Sequence, residues 1–405
     1  MISDPNAQEA PFALRFMQLV SAGMWSAWMK TSSLRNAPFS EGKMPFYEEH
    51  RDKELWKNLF SEAFAAFLAD RMASFTHGVA AYQRFPRTSS SFPKEIWRRG
   101  VSSLRYVPAT SASAHAAVLF LPAFINNPDI FTFPHGGLCN FLAQAGIASY
   151  LLDWGEMCCS SVEEYFTEVL FPAVQALKQY ETIPLFLFGY CMGSVPVLGL
   201  LSCREVVLDL PIAGALLLAP TWNLRVYPPA TQQFIDSAFA LYKQGSIPER
   251  TEPIVTICFL NFLQPWAIFE KYAHFAQYEN EEKRQTFVKT EDWLNNVYAL
   301  STLFVRNTLG PWFLENSLCT GCWPLFKRSL LPEQIQVPVL LAAPSKDRVV
   351  PPMSGKTLSE SLPNCTFISP PVGHIGALVS HQAKEIFWKP CLNFMLDCLK
   401  RREKA

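Results

Sequence analysis

The chain has 405 residues, enough to bury a large core as one large domain with an extension or as two domains. Only 17% of the residues are charged and the formal net charge is zero, so no net field attracts nucleic acid. The 11 cysteines lie scattered through apolar segments, which is typical of reduced thiols rather than of a disulfide framework. Since neither a secretory signal nor an apolar run of about 18 residues is found, we expect a cytoplasmic protein without a transmembrane segment.

Residues 1–95 are aromatic and show the spacing of helices. Met17, Val20, Met24 and Trp28 recur at helical intervals, and a second such pattern runs through WKNLFSEAFAAFLADRMASF. These stripes face a core, or they form a surface for a partner or an apolar phase; the sequence leaves both interpretations open. We predict a helical N-terminal region over residues 1–95.

From residue 96 onward, short apolar runs alternate with helical patterns. Continuous apolar runs that end in turn residues are typical of parallel strands buried on both faces. Six runs have this form: HAAVLFLPAF, ASYLLDWG, IPLFLFGY, AGALLLAP, VPVLLAAPS and CTFISPP. Their alternation with helices predicts an α/β fold with a doubly wound, mostly parallel sheet.

One long interval interrupts this alternation between Pro220 and Pro338. It is rich in Trp, Phe and Tyr, is mostly helical in pattern, and is too long for one crossover helix. We therefore predict a helical cap inserted at residues 222–335. The catalytic core then comprises residues 96–221 and 336–405.

The segment Gly189-Tyr190-Cys191-Met192-Gly193 follows an apolar strand and precedes a helical pattern, which is the layout of a nucleophile elbow. In such an elbow Gly189 and Gly193 leave room for neighbouring backbone. The helix behind Cys191 points its N-terminal amides at the sulfur, where they favour a thiolate. The structural alternative is a buried cysteine in a glycine-containing turn.

A cysteine nucleophile needs a base, and the base needs an orienting group. Asp347 lies just past the strand of VPVLLAAPS, and His374 lies in a loop past the next strand. The chain order of nucleophile, acid and histidine is that of α/β-hydrolases. Asp153 is the alternative acid, although it precedes the nucleophile. Each residue taken alone is more often a turn former or a structural side chain.

An oxyanion hole would need two backbone donors. We predict the N–H groups of Met192, which follows the nucleophile, and of Phe124, which lies in the irregular loop after an early strand. Cys319 and Cys322 form an isolated CxxC, which is a weak signal without a second ligand pair. We predict a structural or incidental role for them, and neither a metal nor a cofactor.

Several motifs together make residues 96–400 similar to the polyhydroxyalkanoate synthase (PhaC-like) branch of the α/β-hydrolase superfamily. GYCMGS resembles that family's cysteine lipase-like box, and YLLDWGEM resembles its Leu-x-Asp-Trp-Gly segment. LFVRNTLGPWFLENSLCTG, AAPSKDRVVPP and VGHIGALVS resemble further signatures. The resemblance implies an α/β-hydrolase fold in which Cys191 carries the acyl group, His374 is the base and Asp347 is its partner.

The resemblance also implies a substrate and partners. The substrate is an (R)-3-hydroxyacyl-CoA, which is polymerised with release of CoA. The expected partners are a second synthase subunit or a second copy of the chain, and the surface of a polyester granule. Two alternatives stay open: a polyester depolymerase or thioesterase with the same triad, and a non-catalytic granule-associated protein.

Overall fold

The computed structural model describes most of the chain beyond residue 61. The described residues are 62–87, 93–111, 113–133, 137–156, 159–178, 183–202, 210–243, 249–263 and 267–403. The helical stripe predicted over residues 17–28 lies outside them. The described residues form two compact units, one within residues 1–88 and 264–288 and the other within 89–263 and 289–405. The boundaries predicted at residues 95, 221 and 335 stay predictions.

Twelve strands are found in the described residues. They are β1 Lys94–Arg99, β2 Ser102–Val107, β3 Ala116–Leu121, β4 Ile147–Asp153, β5 Leu185–Tyr190, β6 Ile212–Leu218, β7 Arg250–Thr251, β8 Leu300–Ser301, β9 Pro324–Leu325, β10 Arg328–Ser329, β11 Val339–Ala342 and β12 Cys365–Ile368. Eight of them form one sheet, in the order β1-β2-β4-β3-β5-β6-β11-β12.

The α-helices surround this sheet or belong to the smaller unit. They are α1 Glu62–Arg84, α2 Gly137–Gln144, α3 Val162–Tyr165, α4 Phe171–Lys178, α5 Ser194–Ser202, α6 Pro229–Lys243, α7 Pro253–Leu263, α8 Ala267–Phe275, α9 Glu281–Asn295, α10 Thr302–Phe304, α11 Gly310–Glu315, α12 Pro352–Ser361, α13 Gly376–Val379 and α14 Lys389–Glu403. Among the described residues, none of these helices is long and apolar enough to span a membrane.

The main sheet confirms the predicted α/β fold. The six predicted apolar runs form β3, β4, β5, β6, β11 and β12, and every pairing among them is parallel. Every residue of β3, β4 and β5 is buried, as expected where helices cover both faces of a sheet. β12 is the exception, because it forms an edge of the sheet and its residues are half-buried or exposed.

Two strands at the opposite edge were not among the predicted ones. β1 pairs antiparallel with β2, and β2 pairs antiparallel with β4. The sequence of β1, KEIWRR, carries charges that remain exposed at the edge, so it lacks the apolar run that marks a buried strand. The large unit is therefore a mostly parallel mixed sheet.

The strand order determines where a site can form. β3 is followed in the chain by β4 on one side of it, whereas β5 is followed by β6 on the other side. Where connections leave neighbouring parallel strands in opposite directions, a crevice opens outside their carboxyl ends. The loop after β3 and the turn after β5 meet at this crevice.

The smaller unit is held together by aromatic packing between α1 and α8. Phe75 and Tyr82 of α1 contact Tyr272 of α8, with ring centroids 6.0 and 5.5 Å apart in edge-to-face geometry. All three rings are buried. The aromatic pattern that predicts helices before residue 95 therefore faces a core in the part that the structure describes.

Trp154 connects the end of β4 to the loop after β3. Its side chain is fully buried, its indole N–H donates to the carbonyl oxygen of Pro122 at 2.9 Å, and its ring packs on Phe124. We expect Trp154→Ala to lower the free energy of unfolding by about 3–5 kcal/mol, because a large cavity and an unpaired carbonyl remain. Denaturant titration measures this change. Val101→Ala, at an exposed position, is the control and should change stability by less than about 0.5 kcal/mol.

Candidate active site

Cys191 occupies a left-handed turn at the carboxyl end of β5. Its φ is 55°, a region that residues with a side chain rarely adopt. A short 3-10 turn, Cys191–Gly193, joins β5 to α5, which begins at Ser194. Conformations of this kind cost about 1–3 kcal/mol and cluster at functional sites. The half-buried sulfur lies just past the carboxyl end of β5, where a nucleophile elbow is predicted.

Gly189 and Gly193 are required by close backbone approaches on either side of the turn. A Cβ atom at Gly189 would lie 2.6 Å from the Cα of Ser194, and one at Gly193 would lie 2.0 Å from the carbonyl oxygen of Leu121. Leu121 is the last residue of β3. The turn therefore packs directly against the beginning of the loop that carries Phe124.

His374 and Asp347 are joined by a short hydrogen bond. Nδ1 of His374 donates to Oδ2 of Asp347 at 2.7 Å, and the carboxylate is completely buried. The other oxygen, Oδ1, accepts from the backbone N–H groups of Val349 and Val350 at 2.9 Å each. Both carboxylate oxygens are thus hydrogen-bonded, which fixes the tautomer and the orientation of the imidazole.

Backbone hydrogen bonds tie the acid loop to the histidine loop. The N–H of Ser345 donates to Pro370 at 2.8 Å, and that of Lys346 donates to Val372 at 3.0 Å. The two loops follow the neighbouring parallel strands β11 and β12. These bonds bring Asp347 and His374, which are 27 residues apart in the chain, into contact.

The imidazole of His374 also contacts the sulfur of Cys191. Burial lowers the pKa of His374, but the negative charges of Asp347 and Cys191 and hydrogen bonds to both side chains raise it to about 10. The histidine is therefore a cation at neutral pH and lies between Asp347 and Cys191. The structure brings Cys191, His374 and Asp347 together.

Two buried tyrosines that the sequence analysis missed complete this environment. The ring of Tyr190 packs 5.2 Å from the imidazole of His374, and the hydroxyl of Tyr227 donates to Val349 at 2.8 Å. Burial, with the charges of Cys191 and Asp347, raises the pKa of both phenols. Both remain neutral hydrogen-bond donors.

The two residues predicted to supply oxyanion donors lie in chain segments that pack against each other through Gly193 and Leu121. Met192 follows Cys191 within the 3-10 turn, and Phe124 lies in the loop after β3. The side chain of Phe124 is fully buried against Trp154, Tyr165 and Phe304. Their amides as an oxyanion hole stay a prediction.

Asp153 belongs to a separate ionic network. Arg105 binds Asp153 at 2.5 Å and Asp129 at 2.6 Å, and Tyr298 donates to Asp153 at 2.6 Å. Burial raises the pKa of Asp129, and the Arg105 guanidinium offsets this shift only in part. Asp153 is thus held by Arg105 and Tyr298.

This network anchors the loop that follows β3. The backbone N–H of Tyr298 donates to Ile125 at 2.8 Å, and the indole of Trp293 donates to Asn127 at 3.0 Å. Asn127 in turn accepts from the N–H of Asp129. The backbone on both sides of Asn126 is therefore held by distant parts of the same unit.

Thr221 is the other residue that the sequence analysis missed. Its Oγ1 lies 3.9 Å from Sγ of Cys191, and its N–H donates to the carbonyl oxygen of Cys191 at 3.5 Å. The surrounding sequence APTWN matches no motif. The only hint in the sequence is the position of Thr221 shortly after β6. This strand pairs with β5, which ends at Cys191.

Neither thiol of the isolated CxxC is in a disulfide. Cys319 is half-buried and Cys322 is exposed. Over the described ranges, no group of three or more His, Cys, Asp or Glu side chains has the arrangement of a metal site.

Comparison with known proteins finds two relatives of this chain at low sequence identity. It is 24% identical over 312 residues to the poly(3-hydroxyalkanoate) polymerase subunit PhaC of Haloferax mediterranei, covering 70% of this chain and 59% of that protein. It is 26% identical over 299 residues to the PhaC subunit of a Synechocystis species, covering 68% of this chain and 76% of that protein. The chain is thus similar to two PhaC subunits over about 70% of its length.

Structural comparison agrees on the fold. The structure of a soluble variant of monoglyceride lipase from Saccharomyces cerevisiae superposes with a TM-score of 0.52 at 12% identity, covering 77% of this chain and 98% of that one. No family model matches the sequence. The chain spans about three fifths of the length of the haloarchaeal relative.

Gly193→Ala tests the close approach at the elbow. Its Cβ would meet the Leu121 carbonyl at 2.0 Å, so the backbone has to shift. We expect the free energy of unfolding to fall by about 3 kcal/mol, as for overpacked sites, and alkylation of Cys191 to slow. Gly310→Ala is the control, since its Cβ meets only Val305 at an ordinary 3.5 Å. Equal stability of the two variants would contradict the argument.

Histidine titration tests the coupling of His374 to the sulfur. We expect its imidazole nitrogens to titrate near pH 10 in ¹⁵N NMR, and at lower pH in Cys191→Ala, which removes the charge and hydrogen bond of the sulfur. Since the folded-state pKa exceeds the usual 6.5, protonated His374 stabilises the fold fully below about pH 6.5. This contribution declines as the pH rises toward 10. A wild-type titration near pH 6.5 would contradict the coupling.

Proposed function

We propose that this chain is a polyhydroxyalkanoate synthase-like acyltransferase. It takes an (R)-3-hydroxyacyl group from CoA as a thioester on Cys191 and passes it to the hydroxyl of a growing polyester. The observation that carries the proposal is the half-buried Cys191 at a strained elbow, hydrogen-bonded to a His374 whose pKa is raised to about 10. The names of the two PhaC relatives support the choice of substrate class.

A cysteine suits this reaction better than a serine for an energetic reason. Transfer from CoA to Cys191 exchanges one thioester for another, so the acyl group stays activated. A serine would form an oxygen ester, from which transfer to a hydroxyl has little driving force. The sulfur in the elbow is thus matched to a carrier role.

In the first half-reaction the Cys191 thiolate attacks the thioester carbonyl of the substrate. As the tetrahedral intermediate collapses, the bond from carbon to the CoA sulfur breaks. Protonated His374 donates its proton to the leaving CoA thiolate. The products are an acyl-enzyme, free CoA and a neutral imidazole.

In the second half-reaction the same histidine acts as a base. Acylation removes the negative charge of Cys191, and with it two of the causes that raise the pKa of His374. The neutral imidazole accepts the proton of a 3-hydroxyl, whose oxygen attacks the acyl carbonyl while the bond to Cys191 breaks. General-base assistance of this kind contributes about 10²- to 10⁴-fold. The thiolate and the imidazolium are then restored.

Both half-reactions place negative charge on a carbonyl oxygen. We assign its stabilisation to the backbone N–H groups of Met192 and Phe124. Their amides belong to two chain segments that pack against each other through Gly193 and Leu121. Loss of one oxyanion donor typically costs about 10²- to 10³-fold in turnover.

Water has to be excluded, since it would hydrolyse the acyl-enzyme. We propose that the cap predicted at residues 222–335 excludes water. The proposal concerns those described residues of the cap that belong to the larger unit. They contain an aromatic cluster in which Phe239 of α6 stacks on Phe313 of α11 at 4.8 Å and 15°. Tyr227, at the beginning of the segment, is bonded to the acid loop.

We also propose that the chain works with a second polypeptide. Both relatives are named as a polymerase subunit, which supports an assembly with another subunit. Size-exclusion chromatography with light scattering, with and without a candidate subunit, distinguishes a hetero-oligomer from a homodimer. A polyester granule surface is the further proposed partner.

One assay tests the activity. Purified protein, alone and with candidate partner subunits, is incubated with 3-hydroxybutyryl-CoA, and free CoA and polyester are measured together. We expect CoA release coupled to polymer growth, and a loss of about 10⁴-fold or more in Cys191→Ala. Cys322→Ala, which removes an exposed thiol, is the matched control and should retain activity.

Other results would point to the alternatives. Release of CoA only together with free 3-hydroxy acid would show a hydrolase that uses the same residues. A thiol-reactive substrate analogue that labels Cys191 no faster than the other cysteines would indicate a non-catalytic protein. Either result overturns the synthase proposal.

A further inference from the structure

Thr221 places a buried hydroxyl beside the sulfur of Cys191. Its residue is only 2% exposed, so its Oγ1 has almost no access to water. Within the described part of the chain, the Cys191 sulfur at 3.9 Å is the one hydrogen-bond partner of that oxygen. Buried hydroxyl groups generally have a hydrogen-bond partner. The sulfur of Cys191 therefore satisfies the hydrogen-bonding requirement of the Thr221 hydroxyl.

The turn that carries Thr221 is held from both ends. Ala219 has a φ of 49°, although it is not a glycine. The hydroxyl of Ser354 donates to Pro220 at 3.0 Å and accepts from the N–H of Trp222 at 2.9 Å, so it bridges the residues on either side of Thr221. Ser354 is itself fully buried. A strained residue persists only where its surroundings determine it, and here they determine the position of Thr221.

The electrostatics decide which atom donates. His374 is protonated at neutral pH because the charges of Asp347 and Cys191 raise its pKa. A thiolate accepts hydrogen bonds and cannot donate one, whereas a threonine hydroxyl can do either. With Cys191 as the thiolate that the proposed function requires, the hydroxyl of Thr221 is the donor and the sulfur of Cys191 is the acceptor. Hydrogen bonds to an ionised acceptor are about twice as strong as neutral ones.

We propose that Thr221 is a positioning residue for the nucleophile: its hydroxyl donates to the Cys191 thiolate, stabilises that charge and holds the sulfur toward His374. This inference rests on the proposed function only in taking Cys191 as the nucleophile. The bond disappears when the sulfur is acylated, because a thioester sulfur carries no charge. Thr221 therefore stabilises the resting thiolate and leaves the acyl-enzyme unaffected.

The test compares Thr221→Val, which keeps the shape but removes the hydroxyl, with Thr221→Ser, which keeps the hydroxyl. Alkylation of Cys191 by iodoacetamide is followed as a function of pH, and the Cys191 peptide is quantified by mass spectrometry. We expect the pH midpoint of alkylation to rise by about one unit in Thr221→Val, as a tenfold loss of thiolate requires. Thr221→Ser should stay within about 0.3 units of the wild type.

A readout of the first turnover complements the titration. At a pH below the wild-type alkylation midpoint, the CoA released per enzyme in the first turnover should appear about tenfold more slowly in Thr221→Val, because about tenfold less Cys191 is thiolate there. A wild-type midpoint in a folded Thr221→Val, judged by circular dichroism, would overturn the proposal. So would a Thr221→Ser that behaves like Thr221→Val. Thr221→Ala replaces the valine variant if that one does not fold.

The outcome is separable from that of the proposed function. Alkylation uses no CoA substrate, so the midpoints of the variants can be read even if the wild type makes no polyester. Absence of polymer with the expected shift in midpoint would reject the synthase proposal and keep the role of Thr221. Polymer formation with unchanged alkylation midpoints would reject the role of Thr221 and keep the synthase proposal.

Discussion

Cys191 adopts a backbone conformation that is unfavourable for any residue with a Cβ atom, and the neighbouring chain has to hold it there. Gly189 and Gly193 allow this because backbone atoms of Ser194 and Leu121 occupy the space that side chains would take. The same contacts fix the end of β3 against the turn after β5. The geometry of the site is therefore set by main-chain packing, in which displacements cost free energy.

Asp347, His374 and Cys191 follow one another as neighbours in the site. Asp347 is bound by two amides and by the imidazole, and the imidazole lies between the carboxylate and the sulfur of Cys191. The charges of Asp347 and His374 are stable in the interior because they have opposite signs and are hydrogen-bonded to each other. Tyr190 and Tyr227 keep their protons and add no further charge. Removal of Asp347 leaves the charge of His374 without its carboxylate partner, and removal of His374 leaves the buried carboxylate without a cation.

The sequence predicts those parts of the structure that depend on local patterns. Cys191, Asp347 and His374 each follow an apolar run. The structure places each of them beyond the carboxyl end of one of the parallel strands. Thr221 was missed because its meaning depends on the left-handed Ala219 and on Ser354, which lies far along the chain. Strand β1 was missed because its charged residues stay in water at the sheet edge. No local pattern encodes such long-range contacts.

The hairpin formed by β1 and β2 lies at the edge of the sheet, yet it bears on the loop after β3. Arg105 on β2 stands opposite Leu151 of β4 and binds both Asp129 and Asp153. Because side chains alternate between the two faces of a strand, a slip of β2 by a single residue would turn Arg105 to the wrong face. Changes in the length of the turn at Gly100 are therefore tolerated only where the alignment of β1 and β2 is preserved. A surface turn thus helps to determine how the loop after β3 is held.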